Sequence, residues 1–418
     1  MGTTFGKYFK KKFRIGMSIC ILLLMLITTS MFELEPFAEV FAGNNPFTFY
    51  VLMMAFMYMR YMGLTFRPGI IKHLMPLLLI VVGILLSFIP AYLFYGQHLY
   101  HSLVVYRRTL CFLFFPLLLS IRPTLRECRA AFYAFSFLYA YASFLVTYVH
   151  PDWLILPEGM EYVINTDILQ TLTGLIYLPI ALVFALEQYR DTHKKKFLFL
   201  SIFLFAVIFM NENRTVLAAS FFIIVASFLF DLSAKSRIVA GALVVFFFVA
   251  VFVFGGQYIS ALVEETITDL QNEDYNRVKA FYYFTSVKNG PLSFFLGNGF
   301  ISGNVHSIME DLRQEGIYNS DLGLIGLWHQ FGLLFPLTVL FYNIRGLSAD
   351  HTFHVRGMSI HMLVSGLTMA YYFTFASITW LCFFLYFSES DVTYFERRKK
   401  RKEEITRKKI RKYRSTTR

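Results

Sequence analysis

Two arginines and one aspartate are the residues of this chain whose types and positions could do chemistry. Arg214 lies in a very short polar connection, residues 211–215, between two apolar runs, and Arg277 opens a helical pattern rich in aromatic residues. Asp321 lies at the start of a later apolar run. A guanidinium group binds phosphate oxygens through two parallel hydrogen bonds, and a carboxylate accepts a proton or orients a hydroxyl group. The three residues therefore indicate a site for a phosphate-bearing substrate.

The composition predicts that a membrane surrounds these residues. The chain has 418 residues, of which 56% are hydrophobic and 16% are charged, and its mean hydropathy is +0.54. Such a chain has too little polar surface to cover a soluble globule. Apolar runs of membrane-spanning length recur from end to end, so we predict an all-α, polytopic integral membrane protein.

Clusters of Lys and Arg indicate which side of the membrane each connection faces, because these residues accumulate in cytoplasmic loops. The basic residues at 7–14 place the N-terminus inside, and an even number of spans returns the basic C-terminal tail to the same side. We predict twelve spans, with every basic cluster and both termini in the cytoplasm. The predicted landmarks are spans at 15–32 and 46–62, span ends near 95 and at 121, an outer loop from 150, a short outer connection at 211–215, a ninth span ending at 255–256, a tenth span from 320–321 to just before 345, and two short spans between 357 and 388.

We predict one transmembrane domain, residues 1–389, followed by a basic cytoplasmic tail at 390–418. Residues 257–319 form its one long extracytoplasmic loop, between the ninth and tenth spans. Within this loop Arg277, Phe281, Phe284 and Val287 share one stripe, which predicts a helix lying along the membrane interface. Two breaks follow it, Gly290-Pro291 and a flexible turn at Gly297-Asn298-Gly299.

The tail is the most charged part of the chain. Residues 396–418 hold 13 Lys and Arg residues and 3 acidic residues, a net charge of +10. We interpret it as an anchor attracted to anionic lipid headgroups, and we predict membrane lipids rather than nucleic acid as its partner.

Each candidate residue also has an explanation that needs no ligand. Arg214 could reach the interface as a solvated arginine, and Asp321 could cap the helix that follows it. Arg107 and Arg108, in the outer half of the fourth predicted span, either hold a second phosphate or the polymer chain, or extend to the outer headgroups. His306, in the long loop, is a further candidate that could equally be solvated.

Two other residue sets bear on metal binding. Glu33 and Glu35 form an acidic pair in the first outer loop that could hold a divalent cation, although such a pair is most often a solvated loop edge. The four cysteines, Cys20, Cys111, Cys128 and Cys382, have no ligand spacing and indicate neither a metal cluster nor disulfides.

Over roughly residues 210–334 the order of these elements resembles the O-antigen polymerase and O-antigen ligase superfamily. Asn213-Arg214-Thr215 is similar to the arginine element that follows an outer span end in that superfamily. Asn276-Arg277, the aromatic helix, Asn289-Gly290-Pro291 and Leu296-Gly297-Asn298-Gly299 are similar to its Arg, Pro and Gly-x-Gly pattern. The resemblance also covers the layout of about twelve spans, and implies an architecture like that of the GT-C glycosyltransferases.

The chain departs from the ligases of this superfamily at one informative place. Ligases have a His-Asn pair eleven residues before a Gly-x-x-Gly, whereas here Asp321 stands at that distance from Gly332 and Phe335 replaces the second glycine. The chain therefore looks more like a Wzy-type polymerase.

The resemblance implies a substrate and a reaction. The substrate is an oligosaccharide repeat unit on undecaprenyl diphosphate, polymerised into O-antigen, capsule or exopolysaccharide at the outer face of the bacterial plasma membrane. Arg214 and Arg277 would stabilise the leaving diphosphate without a cofactor, and Asp321 would act on the acceptor hydroxyl, next to Asn319 as a substrate-binding residue. A chain-length regulator and a flippase are candidate partners. An oligosaccharide ligase, a metal-dependent glycosyltransferase and a lipid or polysaccharide transporter remain the alternatives.

Overall fold

The structure is a computed structural model that describes residues 14–29, 45–61, 73–144, 173–211, 213–229, 276–285, 290–299, 322–348, 351–366 and 374–391. Every regular element in these ranges is a helix, which confirms the all-α prediction for the described part of the chain. Two 3-10 helices, Tyr106–Leu113 and Thr173–Tyr177, lead into α6 and α8. In chain order the α-helices are α1 (Ile15–Thr28), α2 (Asn45–Tyr61), α3 (Met75–Leu86), α4 (Phe88–Tyr95), α5 (Leu99–Val105), α6 (Phe114–Ile121), α7 (Leu125–Phe144), α8 (Leu178–Thr192), α9 (Lys195–Met210), α10 (Arg214–Leu229), α11 (Asn276–Thr285), α12 (Gly290–Leu296), α13 (Gly323–Phe331), α14 (Leu334–Gly346), α15 (Phe353–Ser365) and α16 (residues 375–391).

Two helices, α8 and α16, form the centre of the bundle. Both are buried along most of their length, as expected for helices that are apolar on every side. Phe383 of α16 meets Phe114 of α6 and Phe132 of α7 edge to face, with ring centroids 5.3 Å and 5.2 Å apart. The remaining helices pack around this pair and leave large apolar side chains on the outer surface.

Several helix ends coincide with predicted span boundaries. α2 ends at Tyr61, α4 at Tyr95 and α6 at Ile121, each at or within one residue of the predicted position. α1 ends at Thr28, before the predicted end at residue 32, and residues 30–44 lie outside the described part. Among the described helices, Met75–Tyr95 is the one stretch long and apolar enough to cross a membrane, while Ile15–Thr28 and Thr215–Ser227 are apolar but shorter.

The tenth predicted span is not one continuous helix. It divides into α13 and α14 at Gly332, whose φ of 69° and ψ of −168° lie outside the helical region. A backbone of this shape is accessible to glycine and strained for other residues, so the helix must end there. The prediction of a single span from 320 to 345 was therefore wrong in its interior.

The last apolar segment forms two helices, as predicted. α15 ends at Ser365 and α16 begins at residue 375, so the stretch between 357 and 388 is not one long tilted helix. The fourth predicted span differs in a similar way from a regular α-helix, because a 3-10 helix over Tyr106–Leu113 precedes α6.

Candidate functional site

Buried ion pairs gather at one end of the bundle. Glu187 of α8 accepts a hydrogen bond from Arg129 Nη2 at 2.5 Å, and its other oxygen lies 2.8 Å from His354 Nδ1. His354 Nε2 lies 3.2 Å from Thr352 Oγ1, and Thr352 donates its backbone N–H to Asp391 Oδ2 at 2.9 Å. This chain of contacts ties α7, α8, α15 and α16 together, and we call its location the ionic end of the bundle.

Charge balance within this network favours a protonated histidine. The carboxylates of Glu187 and Asp391 outnumber the one guanidinium group of Arg129, so an imidazolium at His354 neutralises the cluster. His354 lies in the connection that precedes the span predicted to begin at Gly357. Burial alone would lower the pKa of His354, but the nearby carboxylates outweigh burial and raise this pKa.

A second ionic contact at the same end combines a helix cap with an ion pair. Thr124 and Glu127 form a capping box at the start of α7, because Glu127 Oε2 accepts from Thr124 N at 2.6 Å and Thr124 Oγ1 accepts from Glu127 N at 3.2 Å. Glu127 also accepts hydrogen bonds from Arg14 N and Arg14 Nε, both at 2.9 Å. Glu127 lies in the basic stretch before the fifth predicted span. Burial would raise its pKa, but these hydrogen bonds and the charge of Arg14 lower it overall.

A third contact joins three more helices or connections at the ionic end. Glu389 of α16 lies 2.6 Å from His73 Nδ1 and 3.4 Å from Arg345 Nη1. Sequence reasoning did not predict these pairings. The signals that could have indicated them are the Thr124-x-x-Glu127 spacing and acidic residues inside otherwise apolar runs.

The paths of α8 and α15 define the opposite end of the bundle. His354, near the start of α15, contacts Glu187, near the end of α8. One turn further along α15, a Cβ atom on Gly357 would lie 2.7 Å from Val183, one turn earlier in α8. The two helices therefore run in opposite directions, and α15 ends at the end away from the ion pairs.

Two helices that carry predicted site residues begin at this opposite end. Leu324, in the first turn of α13, donates its N–H to the carbonyl of Gly366 at 2.9 Å, directly after α15. α9 leaves the ionic end through the turn at 193–194 and packs along α8. α10 begins at Arg214, just after α9 ends, so the backbone of Arg214 also lies at the opposite end.

The helix of Arg277 joins the same region through its packing on α13. Ala280 and Phe284 of α11 form a small buried cluster with Leu322 and Ile325. Further along, the ring of Phe284 packs on His329 with centroids 4.6 Å apart. Residue numbers rise together along both helices, so α11 and α13 are parallel and their first turns lie side by side. This also corrects the predicted interfacial stripe, since Ala280 and Phe284 face α13 whereas Phe281 is exposed.

The Gly-x-Gly element is a docking point, not the flexible turn predicted from the sequence. Asn298 N donates to His329 O at 2.8 Å and Gly299 N donates to Gln330 O at 2.9 Å. A Cβ atom on Gly297 would lie 2.3 Å from Gln330 O, and one on Gly332 would lie 2.1 Å from a backbone oxygen of α12. The two glycine elements of the resemblance therefore pack backbone against backbone. We call this contact the glycine crossing.

Arg107 and Arg108 are both exposed on the 3-10 helix that precedes α6. The guanidinium carbon of Arg108 lies 5.2 Å from the ring centroid of Phe375, the first residue of α16. Thr374 caps this helix start by accepting a backbone hydrogen bond at 3.1 Å. Because Asp391 places the other end of α16 at the ionic end, Arg108 lies at the opposite end. It makes the cation–π contact there that an anchored arginine at a binding site or an interface would make.

The remaining predicted residues have a different standing. Asp321, Asn319, His306, Glu33 and Glu35 lie outside the described residues. The structure assigns the N-cap position of α13 to Leu322, so neither Ser320 nor Asp321 is the N-cap residue. That removes the ligand-free explanation given above for Asp321.

No group of three His, Cys, Asp or Glu residues within the described ranges is arranged to hold a metal ion. The four cysteines are all described, buried and free of disulfides.

The structure thus brings the helix starts that carry Arg214 and Arg277 to the same end as Arg108, and it places the glycine crossing beside them. The resemblance to O-antigen polymerases and ligases stays a prediction from the sequence, because no protein-family model matches the chain and no curated protein matches it either.

Proposed function

We propose that the chain is a membrane glycosyltransferase that polymerises undecaprenyl-diphosphate-linked oligosaccharide repeat units at the outer face of the bacterial plasma membrane. The observation that carries this proposal is the parallel packing of α11 and α13, whose first turns lie together. Arg277 lies one turn before Ala280 in α11, and Asp321 directly precedes Leu322 in the sequence. Both residues are thereby tied to neighbours that share one buried cluster.

Two features support a membrane location with twelve spans. Large apolar side chains face outward on many helices, for example Leu52 at 58%, Phe199 at 66% and Phe341 at 61% exposure, and in water such a surface would be unfavourable. In addition, the ion pairs of the ionic end come from the connections that positive charge predicts to be cytoplasmic. The opposite end would then face outward, where lipid-linked repeat units are polymerised.

The proposed reaction assigns a task to each residue. The oxygen of an acceptor hydroxyl forms a bond to the anomeric carbon of the donor sugar, while the bond from that carbon to the diphosphate oxygen breaks. The electron pair leaves with the diphosphate, and the guanidinium groups of Arg214 and Arg277 stabilise its growing negative charge. The hydroxyl proton passes to Asp321. The two arginines supply the positive charge that a divalent cation supplies in other glycosyltransferases, so the proposal includes no cofactor.

Arg107 and Arg108 extend this arrangement. Their exposed position beside the start of α16 suits them to hold the second diphosphate or the growing chain. An arginine held against an aromatic ring keeps its guanidinium plane oriented, which reduces the entropy lost when an anion binds.

An assay with purified protein tests the proposal. The substrate is the undecaprenyl-diphosphate repeat unit that accumulates in cells lacking this chain, and the products are resolved on a gel. We expect a ladder from the wild type and loss of most activity in Arg277→Lys and Arg214→Lys, because a point charge does not replace a bidentate fork. Arg126→Lys is the matched control, since Arg126 is an exposed arginine at the ionic end.

Two outcomes would contradict the proposal. Near-normal ladders from both arginine variants would show that neither guanidinium group holds the diphosphate. The absence of any ladder from the wild type with its cognate substrate would favour the ligase or the transporter instead.

A further inference from the structure

The interface between α11 and α13 contains a polar group that the described residues do not satisfy. His329 Nδ1 is shielded from solvent and has no hydrogen-bond partner among the described residues. Its ring packs against Phe284, and the rest of the interface is formed by the apolar side chains Ala280, Leu322 and Ile325. An enclosed imidazole nitrogen without a partner destabilises a fold, so its presence needs a reason.

The neighbouring polar residues sharpen the contrast. Trp328 Nε1 donates to the Phe294 carbonyl at 2.8 Å, so the tryptophan is satisfied within the fold. The backbone carbonyls of His329 and Gln330 accept the hydrogen bonds of the glycine crossing, but these bonds do not involve their side chains. Gln330 Oε1 is also buried and lacks a partner among the described residues. Two successive residues therefore hold unsatisfied polar atoms inside an otherwise apolar contact.

The distance from the proposed diphosphate site suits a sugar unit. Arg277 and Phe284 are seven residues apart on α11, which is roughly 10 Å along a helix at about 1.5 Å per residue. His329, in contact with Phe284, therefore lies about that far along the interface from the start of α11. A sugar attached to a diphosphate held at the helix starts would extend over this distance.

We propose that His329 is a positioning residue that binds a hydroxyl group of a sugar unit in the lipid-linked substrate. This inference rests on the proposed function. A neutral imidazole offers one donor and one acceptor, which matches a hydroxyl group, and Gln330 Oε1 is an acceptor that a hydroxyl group can satisfy but a phosphate oxygen cannot. The Phe284 ring adds an apolar surface for the C–H face of a sugar, in the manner of ligand sites that combine aromatic walls with a few polar groups.

Two substitutions at His329 separate a binding role from a structural one. His329→Phe keeps a ring against Phe284 and removes the polar nitrogen, so we expect the ligand-free protein to melt at the same or a higher temperature. His329→Asn keeps a group that donates and accepts, and should restore binding. His98→Phe is the matched control, because His98 is exposed and lies outside this interface.

Binding is measured in detergent with two probes, undecaprenyl diphosphate carrying the repeat unit and undecaprenyl diphosphate without sugars. For His329→Phe we expect about tenfold weaker binding of the sugar-bearing lipid, the effect of losing one hydrogen bond. Binding of the sugar-free lipid should be unchanged, and polymerisation should slow with the loss of affinity.

The two probes distinguish failure of this inference from failure of the proposed function. If the wild type binds neither lipid, both proposals are wrong. If the wild type prefers the sugar-bearing lipid and His329→Phe keeps the same preference, only the role of His329 is wrong. A His329→Phe protein that melts below the wild type would also overturn the inference, because the folded chain would then already satisfy the imidazole.

Discussion

Replacing Gly332 by alanine should break the glycine crossing and separate α12 from α13. The new Cβ atom would lie 2.1 Å from the carbonyl oxygen of Phe295 and 2.5 Å from the carbonyl carbon of Leu296, and backbone atoms cannot rotate away as a side chain does. The backbone conformation of Gly332 adds a strain of about 1–3 kcal/mol for any other residue.

The clash would also remove hydrogen bonds. Asn298 N to His329 O, Gly299 N to Gln330 O and Leu333 N to Phe295 O hold the crossing at 2.8 Å, 2.9 Å and 3.1 Å. Each contributes about 0.5–1.5 kcal/mol. Together with the strain, we expect Gly332→Ala to destabilise the protein by on the order of 3–7 kcal/mol.

Gly96→Ala provides the control for this prediction. Gly96 also has a positive φ, 63°, but a Cβ atom there would meet nothing within 4 Å. Its cost should be limited to backbone strain, about 1 kcal/mol. Both variants can be compared in detergent by thermal unfolding followed through tryptophan fluorescence, since Trp328 is hydrogen-bonded to α12. Equal melting temperatures for Gly332→Ala and Gly96→Ala would refute the docking of the two glycine elements.

Two further substitutions test the ionic end and the proposed base. Glu127→Gln should destabilise the protein by about 2–4 kcal/mol at neutral pH, because it breaks a buried pair with Arg14. The pKa of Glu127 is lower in the folded state, so its contribution is present above the unfolded pKa of roughly 4.3 and is lost as pH falls through the folded pKa; the melting temperatures of variant and wild type should therefore converge in acid, and a constant gap would argue against the ion pair. Asp321→Asn should abolish most polymerisation in the gel assay while expression persists, whereas near-normal turnover would exclude Asp321 as the proton acceptor.

Hydropathy and charge predicted the helix boundaries more successfully than the contacts between helices. The ends at Tyr61, Tyr95 and Ile121 follow from local composition, since an apolar run must stop where polar residues begin. The pairing of Arg14 with Glu127 spans 113 residues, and no local pattern specifies which cation meets which carboxylate. The placement of charges on one side was predicted, but their mutual contacts were not.

The glycine elements show how a motif can be recognised and its role misjudged. Gly297, Gly299 and Gly332 were identified by their order in the chain, and the turn was predicted to be flexible because glycine permits many conformations. The structure uses a different property of glycine, the absence of a Cβ atom, to let two backbones approach within hydrogen-bonding distance. Only the partner segment, more than thirty residues away in the sequence, determines which property matters.

The two ends of the bundle differ in how their polar groups are satisfied, and this difference favours a substrate site at the end away from the ion pairs. The buried carboxylates Glu127, Glu187, Glu389 and Asp391 all accept hydrogen bonds from other parts of the chain, which accounts for them as links between helices. At the opposite end, His329 and Gln330 keep buried polar atoms that the described residues leave unsatisfied. A protein that satisfies its costliest buried groups at one end has no general difficulty in doing so, and unsatisfied groups beside the starts of the predicted arginine helices are therefore best explained by a ligand that completes them.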